Sequence, residues 1–463
     1  MTSVPTTYDT IVVGAGPCGL TLATKLPGTT LLLDQRDNVG GCHAVHRDDG
    51  LFCEHGPRYL NGCYVNARDV LASVGIRWDE AFERRPFHPD VVDGRGWWRH
   101  FSPYETLVFS VLFCCLIVVP HFGRSTSLAD VCRTFGFSSG TRDYIEHVCR
   151  TTDGCGADRY SLHKFLRGFN DHVHSFYQPR RANDRGLFAR WTSALVRRGV
   201  RVETGARAVR VLHRDGRAVG LVYRTKDGDR VARARRVVLA IPPDPLVHLI
   251  ESSGLHEPGL AALADDTEYD EYYCAAFHFS KTTEPLVDHR GVRTTPWGLI
   301  YADMGHMRDE GTSVVMVAAW RLDSRSPVTG KTINQSSRDE VHRELLRQLP
   351  ISEATKRTLV RVVSTDMRLE GGSWHNRSEA YVHNATGGDG FGPAMRCCRG
   401  LYSVGTHNER SWYPFTSFES AVCNALAFAG APCRRPWTPI RLARLLLLCA
   451  LVYVAVARYV VLK

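Results

Sequence analysis

Three glycines near the start of the chain carry the clearest chemistry. In "TIVVGAGPCG", residues 10–19, Gly14, Gly16 and Gly19 form GxGxxG where a β-branched run gives way to a helical pattern. In that setting the first glycine permits a tight turn and the second lets a pyrophosphate approach the backbone. The third lets the helix pack on the strand, with the helix N-terminal amides facing the phosphate. Asp34 closes the run "TTLLLD", twenty residues after Gly14, where a carboxylate accepts hydrogen bonds from a ribose diol. The alternative is a structural glycine turn without a ligand. The pair of features points to a bound dinucleotide.

The elements that must position these residues are legible around them. Asp9 to Val13 is short, apolar and β-branched, as a buried parallel strand should be, and "PCGLTLATKL" has helical spacing up to Pro27 and Gly28. Far downstream, from about Gly186 to Pro245, the pattern predicts a helix and a strand at 200–203. A three-strand meander comes next, turning at Asp215-Gly216 and Asp227-Gly228, and then a buried strand at 237–241. "GLYSVGTHNERSWYPFTSFESAVCNALAFAG" reads as strand, loop and helix. The stretches between are aromatic-rich and mixed in pattern, which predicts a second domain inserted twice into the first.

The residues after Asp34 narrow the ligand. Asp34 and Arg36 lead into "NVGGCHAV", with the pair Gly40 and Gly41 beginning six residues beyond the acid. This extension resembles the FAD-binding signature of the flavin amine oxidase and protoporphyrinogen oxidase superfamily. Four more stretches are similar to that family in its own order. "DDGLFCEHGPRYL" resembles the strand and loop beneath the flavin, and "GVRVETGARAVRVLHRDG" the strands that reach the adenine, Val209 among them. "ARRVVLAIPPDPL" resembles the returning strand, and "LYSVGTHNE" with "FESAVCNALAFAG" the final flavin-site strand and helix.

The resemblance implies FAD held by Gly14, Gly16, Gly19, Asp34, Arg36, Gly40, Gly41, Val209, Gly405, Thr406, Phe418 and Glu419. Independently of it, the N-terminus of the last helix, near Phe418 and Glu419, suits the N1 and C2 carbonyl region where reduced flavin collects negative charge. Trp374, Trp412, Tyr413, Phe415 and Phe418 lie where the family places rings that wall a substrate channel. Arg58 in "EHGPRYL" is a further candidate for facing flavin or substrate.

The chain also departs from the amine oxidases. Cys42 stands where an arginine commonly follows the glycine pair. The place of a lysine bonded through water to the flavin falls near Ala275. No cysteine lies in "GGSWHNR", where some relatives attach flavin covalently. The expected cofactor is thus noncovalent FAD, and no catalytic general base is identifiable.

With 463 residues the chain has length for two domains. Its formal charge of +10 comes from scattered arginines, which reads as solvated surface and not as a nucleic-acid face. Fifteen cysteines include no CxxC pair, and the cluster Cys42, His43, His46, Cys53, His55, Cys63 fits no zinc spacing, so no metal is expected. Free thiols in a reducing compartment are the expectation, and no signal peptide precedes the first strand.

Two apolar runs remain. Leu445 to Ala457 is thirteen residues long. With Arg458 snorkelling, Leu445 to Leu462 reaches the ~17 residues a spanning helix needs. The basic flank Arg434, Arg435, Arg441 and Arg444 places the catalytic part on the cytosolic side of a single-pass C-terminal anchor. The run 107–119 ends at Pro120 and is too short to span. It reads as a buried or membrane-dipping helix, because a single crossing would put two parts of one cofactor site on opposite faces of the bilayer.

The expected architecture is α/β. A discontinuous FAD-binding Rossmann-type domain (1–65, 186–248, 396–432) is interleaved with a mixed α/β substrate domain (66–185, 249–395), followed by a linker (433–440) and an anchor helix (441–463). The expected activity is hydride transfer to flavin from a C–N or C–C bond of a small or lipophilic substrate. Two alternatives stay open. One is a flavoenzyme similar to the UDP-galactopyranose mutases, suggested by "GGCHAVHRDDGLFCEHGPR". The other is an escort protein of the Rab GDP-dissociation-inhibitor type, against which Asp34 and the intact glycines argue.

Overall fold

The computed structural model describes residues 7–56, 59–85, 90–92, 95–96, 99–171, 175–269, 272–287, 291–293, 295–307, 310–365, 367–376, 381–383, 391–408 and 411–461. Three sequence-distant segments build one sheet. Its parallel part runs Arg201–Glu203, Thr30–Leu33, Thr7–Val13, Gly228–Leu239, Leu401–Ser403. The inner strands are buried on both faces, which is why they read as continuous apolar runs. The helix Pro17–Lys25 starts with Pro17 and packs Leu20 and Leu22 against the sheet.

The first meander turn falls where its sequence predicts, and the second falls at Lys226-Asp227, one residue before the expected Asp227-Gly228, because Gly228 already pairs with Thr225. Asp215 (φ 53°) and Gly216 (φ 67°) make the two-residue left-handed hairpin turn between Arg207–Arg214 and Arg217–Thr225. One difference stands out. The third meander strand and the buried strand expected at 237–241 are a single twelve-residue strand, Gly228–Leu239. Its exposed first half pairs antiparallel with the meander, and its buried "VVL" end pairs parallel with Ile11–Val13 and Leu401–Ser403. Alternation therefore switches to a continuous apolar run within one strand as its surroundings change.

A second sheet is built mainly of antiparallel strands, including Leu359–Ser364, Tyr273–Ser280, Thr312–Ala319 and Leu299–Asp303. The helix Arg338–Gln348 covers one face through Val341 and Leu345. Helices Val65–Ser73, Pro103–Val118, Ser139–Asp153 and Leu162–Asp171 complete the layer beside the first sheet.

The run 107–119 lies in the sixteen-residue helix Pro103–Val118 and its C-terminal cap, Val119. It is only partly buried: Leu112 and Leu116 enter the core, while Tyr104, Leu107, Val111 and Val118 are exposed. The tail forms the helix Pro439–Val461, which is long and apolar enough to cross a membrane and is nearly all exposed over Pro439–Val456.

Candidate functional site

A cavity of about 1050 Å³ opens where the parallel strands end and continues between the two sheets. One end is lined by Gly14, Gly16, Asp34, Arg36, Gly41 and Val209. The glycine turn there is tightly constrained. A Cβ on Gly14 would lie 2.3 Å from the Ala240 carbonyl oxygen, and one on Gly19 would lie 1.8 Å from the Gly14 carbonyl oxygen. Gly16 and Gly41 face each other across the cavity wall, a Cβ on Gly41 meeting the Gly16 Cα at 3.1 Å. The result is a cradle of bare backbone.

Asp34 is buried at the end of its strand. Its Oδ2 accepts from the Ala15 backbone N–H at 2.7 Å and its Oδ1 from the Arg36 N–H at 2.9 Å. Burial pushes its carboxyl up, and these two bonds oppose the shift. A carboxylate has about four acceptor sites, so each oxygen keeps capacity for a further donor from the cavity. The Arg36 guanidinium donates to the Gly41 carbonyl at 2.7 Å and so fastens the glycine pair to the strand end.

At the middle of the cavity Gly405, Thr406, Ser417 and Phe418 form the wall. The helix Phe418–Phe428 begins there with a capping box between Ser417 and Ser420, so its positive N-terminal end opens on the cavity. Asn408 and Asn424 hold the approach. The Asn408 Oδ1 accepts from the Gly405 N–H at 2.9 Å, and the Asn424 amide donates to the Gly405 carbonyl at 2.8 Å. Sequence reasoning passed over both, although an asparagine within the apolar helix "AVCNALAF" was a visible signal.

The far end is aromatic. Tyr59, Tyr64, Phe176, Tyr272, Tyr413 and Phe415 line it together with Ile300 and Ala318. Tyr64 and Tyr413 meet edge to face at 5.4 Å, and burial pushes both phenols up, so they stay neutral. Arg150 reaches this end but is paired with Glu146 (3.1 Å) and Glu268 (3.4 Å). Cys18, on the cavity wall, donates to the Val404 carbonyl, and burial pushes its thiol up to about 12. Apart from Tyr413 and Phe415, these aromatic positions carried no distinguishing signal, since their elements come together only in the fold.

Other candidate residues sit elsewhere. Glu419 does not line the cavity; its carboxylate accepts from the backbone N–H groups of Asn66 (3.1 Å) and Ala67 (2.9 Å), from the Asn66 amide and from the Trp412 indole. It therefore caps the helix Val65–Ser73 and ties it to the cavity helix. Burial pushes Glu419 up, against the pull of those bonds. Trp412 faces Glu419 and not the cavity. Trp374 packs in the core of the second sheet, edge to face with Tyr273 at 5.4 Å, because its strand Ser373–Asn376 lies against that core. Gly40 (φ 128°) serves packing: a Cβ there would lie 2.8 Å from the Phe188 ring. Arg58 lies outside the described residues. Ala275 is fully buried, and among the described residues no lysine lines the cavity.

Fold and cavity together define a dinucleotide-binding protein with a Rossmann-type sheet and a second layer enclosing a partly aromatic pocket. A family model described as "flavin containing amine oxidoreductase" matches residues 128–427, and one described as "NAD(P)-binding Rossmann-like domain" matches residues 12–74. Among solved structures, putrescine oxidase bound to putrescine is similar at 14% identity, covering 92% of this chain and 98% of that one, with a TM-score of 0.66. Cyclohexylamine oxidase from Brevibacterium oxydans shares 14% identity over 91% and 98%, with a TM-score of 0.63. An oxidoreductase from Methanosarcina mazei shares 15% over 91% and 99%, with a TM-score of 0.60. No curated protein matches the sequence significantly. The chain belongs to the flavin containing amine oxidoreductase family, and it is an FAD-dependent oxidoreductase. The residues fit that cofactor: the bare cradle at Gly14, Gly16 and Gly41, the unfilled acceptor sites of Asp34, and a helix N-terminus opening on the cavity beyond them. These findings do not favour the mutase or escort alternatives.

Proposed function

We propose that this chain oxidises a C–N bond of a small or lipophilic amine, or a C–C bond, by hydride transfer to noncovalently bound FAD. The observation that carries the reading is the continuity of the cavity, from Asp34 past the Phe418–Phe428 helix N-terminus to the Tyr64, Tyr413 and Phe415 end. When bound, FAD would supply the redox chemistry as the hydride acceptor. The chain's own residues orient and enclose. Asp34 holds the nucleotide end, the helix N-terminus favours negative charge at the middle, and the rings exclude water from the far end. No lysine among the described residues reaches the cavity, and Tyr64 and Tyr413 stay protonated, so none of these takes a proton from an incoming amine; the imidazoles of His43, His55 and His248 do line the cavity.

The assignment of 1–65, 186–248 and 396–432 to FAD binding is supported by the sheet their strands share. Anaerobic bleaching of the flavin by a panel of amines tests the reaction. Bleaching by a non-amine panel alone would overturn the amine reading. Acid precipitation should release free FAD to the supernatant, and yellow colour left in the pellet would refute noncovalent binding.

The tail supports a bilayer anchor with the enzyme on the cytosolic side. From Leu442 to Val456 its leucines and valines are exposed on every side of the helix, a pattern that suits lipid and not a docked amphipathic helix. Deleting residues 441–463 should release the protein from membranes with FAD retained, since no described residue of that segment lines the cavity. Resistance of the truncated protein to carbonate extraction would show that the tail is not the principal anchor.

A further inference from the structure

The two apolar runs, more than three hundred residues apart in sequence, meet in the fold. The Arg444 guanidinium donates to the carbonyls of Leu116 (2.6 Å) and Ile117 (2.8 Å), the unsatisfied C-terminal end of the helix Pro103–Val118. The tail's root is fixed as well: Ile440 is buried, and its N–H donates to the Asn170 Oδ1 at 2.7 Å. The apolar run of the tail thus begins, at Leu445, beside the end of the shorter helix.

That shorter helix shows solvent an apolar stripe. Tyr104, Leu107, Val111, Cys114 and Val118 recur at spacings of three and four, so they share one face, and all are exposed. Leu112 and Leu116, on the opposite side, enter the core. Sixteen residues span ~24 Å, short of the ~30 Å hydrocarbon layer. Both ends of the helix also stay with the body: Ser102 and Glu105 cap the first, and Arg444 the second. A collar of aromatic and basic groups lies nearby. Trp437 is exposed, with the Arg441 guanidinium 4.8 Å from its ring centre, and Arg124 and Arg435 are exposed. Such groups suit the headgroup level of an anionic bilayer.

We propose that the helix Pro103–Val118 is a second membrane contact, lying in the interface of a lipid bilayer with the Tyr104–Val118 stripe among the acyl chains while the neighbouring tail spans. The proposal rests on the reading of the tail as a bilayer anchor. The two contacts, joined through Arg444, seat the catalytic body against the bilayer. A stripe of this size left to water is an association liability, and continuity with an exposed spanning helix selects lipid as its cover.

The test uses the full chain with its FAD in vesicles of phosphatidylcholine and phosphatidylserine containing a diazirine-tagged phospholipid, photolysed and mapped by peptide mass spectrometry. Lipid adducts are expected both in residues 103–119 and in the tail. Adducts confined to the tail overturn this inference and leave the anchor standing; adducts in neither overturn both. In a parallel sample treated with a bis-maleimide, chain-to-chain cross-linking through the exposed Cys114 without lipid adducts in 103–119 would show that a second copy covers the stripe, which also refutes the proposal. In the double variant L107E/V111E, adducts in 103–119 should fall at least about fivefold with those in the tail unchanged. Both side chains are exposed, so an unchanged flavin content reports intact folding.

Discussion

Replacing Asp34 by asparagine separates the ribose-side role of this carboxylate from its bulk. In the native site Oδ2 accepts from the Ala15 N–H and Oδ1 from the Arg36 N–H, 2.7 and 2.9 Å away in a buried setting. An asparagine fits the same volume but presents one oxygen and one NH₂. Whichever way the amide turns, one of those backbone donors faces another donor and loses its bond. A buried N–H without an acceptor costs ~1–3 kcal/mol. Exchanging a charge-assisted bond to a cofactor hydroxyl for a neutral one loses about 1 kcal/mol more. That first cost is met in the apoprotein too and largely cancels from the affinity, so the effect on FAD binding should be about 1–2 kcal/mol, roughly a 5- to 30-fold rise in Kd. Titrating FAD into apoprotein and following flavin fluorescence reads this directly, with the apoprotein melting temperature reporting the structural share. An affinity within about threefold of the native protein, in a folded Asp34→Asn variant, would refute the placement of the nucleotide at Asp34.

The same geometry sets three further outcomes. Gly19→Ala would place a Cβ 1.8 Å from the Gly14 carbonyl oxygen, a backbone atom with nowhere to go, so the turn must open and the protein should purify without flavin; full flavin content in that variant would contradict the cradle. Glu419→Ala leaves the N–H groups of Asn66 and Ala67 and the Trp412 indole without their buried acceptor, a cost of ~3–5 kcal/mol read as a large fall in melting temperature. A shift of under roughly 1 °C would show that the cap is dispensable. Burial raises the carboxyl of Glu105, but bonds from Ser102, Ser138 and Thr141 outweigh it and hold the group at about 2, down from 4.5. A lowered folded pKa gives stability that is present above the unfolded value and lost as pH falls through the folded one. Its worth is about 3 kcal/mol at neutral pH and less than half of that at pH ~3. The melting-temperature gap between the native protein and Glu105→Gln should therefore shrink on acidification from pH ~6 to pH ~3. A constant gap would sink the argument.

Local order in the chain determined the nucleotide end of the site. Gly14, Gly16, Gly19 and Asp34 lie within twenty-one residues, and a turn, a helix start and a strand end are short-range structures that spacing alone can express. The meander turns at Asp215-Gly216 were legible for the same reason: left-handed φ values at two successive residues favour few residue types. The tail and the 107–119 run were visible as composition. The roles of side chains that reach across the fold could not be read in this way. Glu419 sits one residue into the cavity helix, yet it turns to cap Val65–Ser73, some 350 residues earlier, because those amides and not the cavity lie within its reach. Trp374 and Trp412 are both aromatic and buried, and only packing against Tyr273 in one case and Glu419 in the other decides that neither lines the pocket. The aromatic end, with Tyr59, Tyr64, Phe176 and Tyr272 beside Tyr413, is assembled mostly from loop positions of four sequence-distant segments. The meeting of Arg444 with Leu116 and Ile117 likewise joins distant segments. Periodicity reports which face of an element is apolar, whereas which two faces meet is set by long-range packing, and that information exists only once the chain has closed on itself.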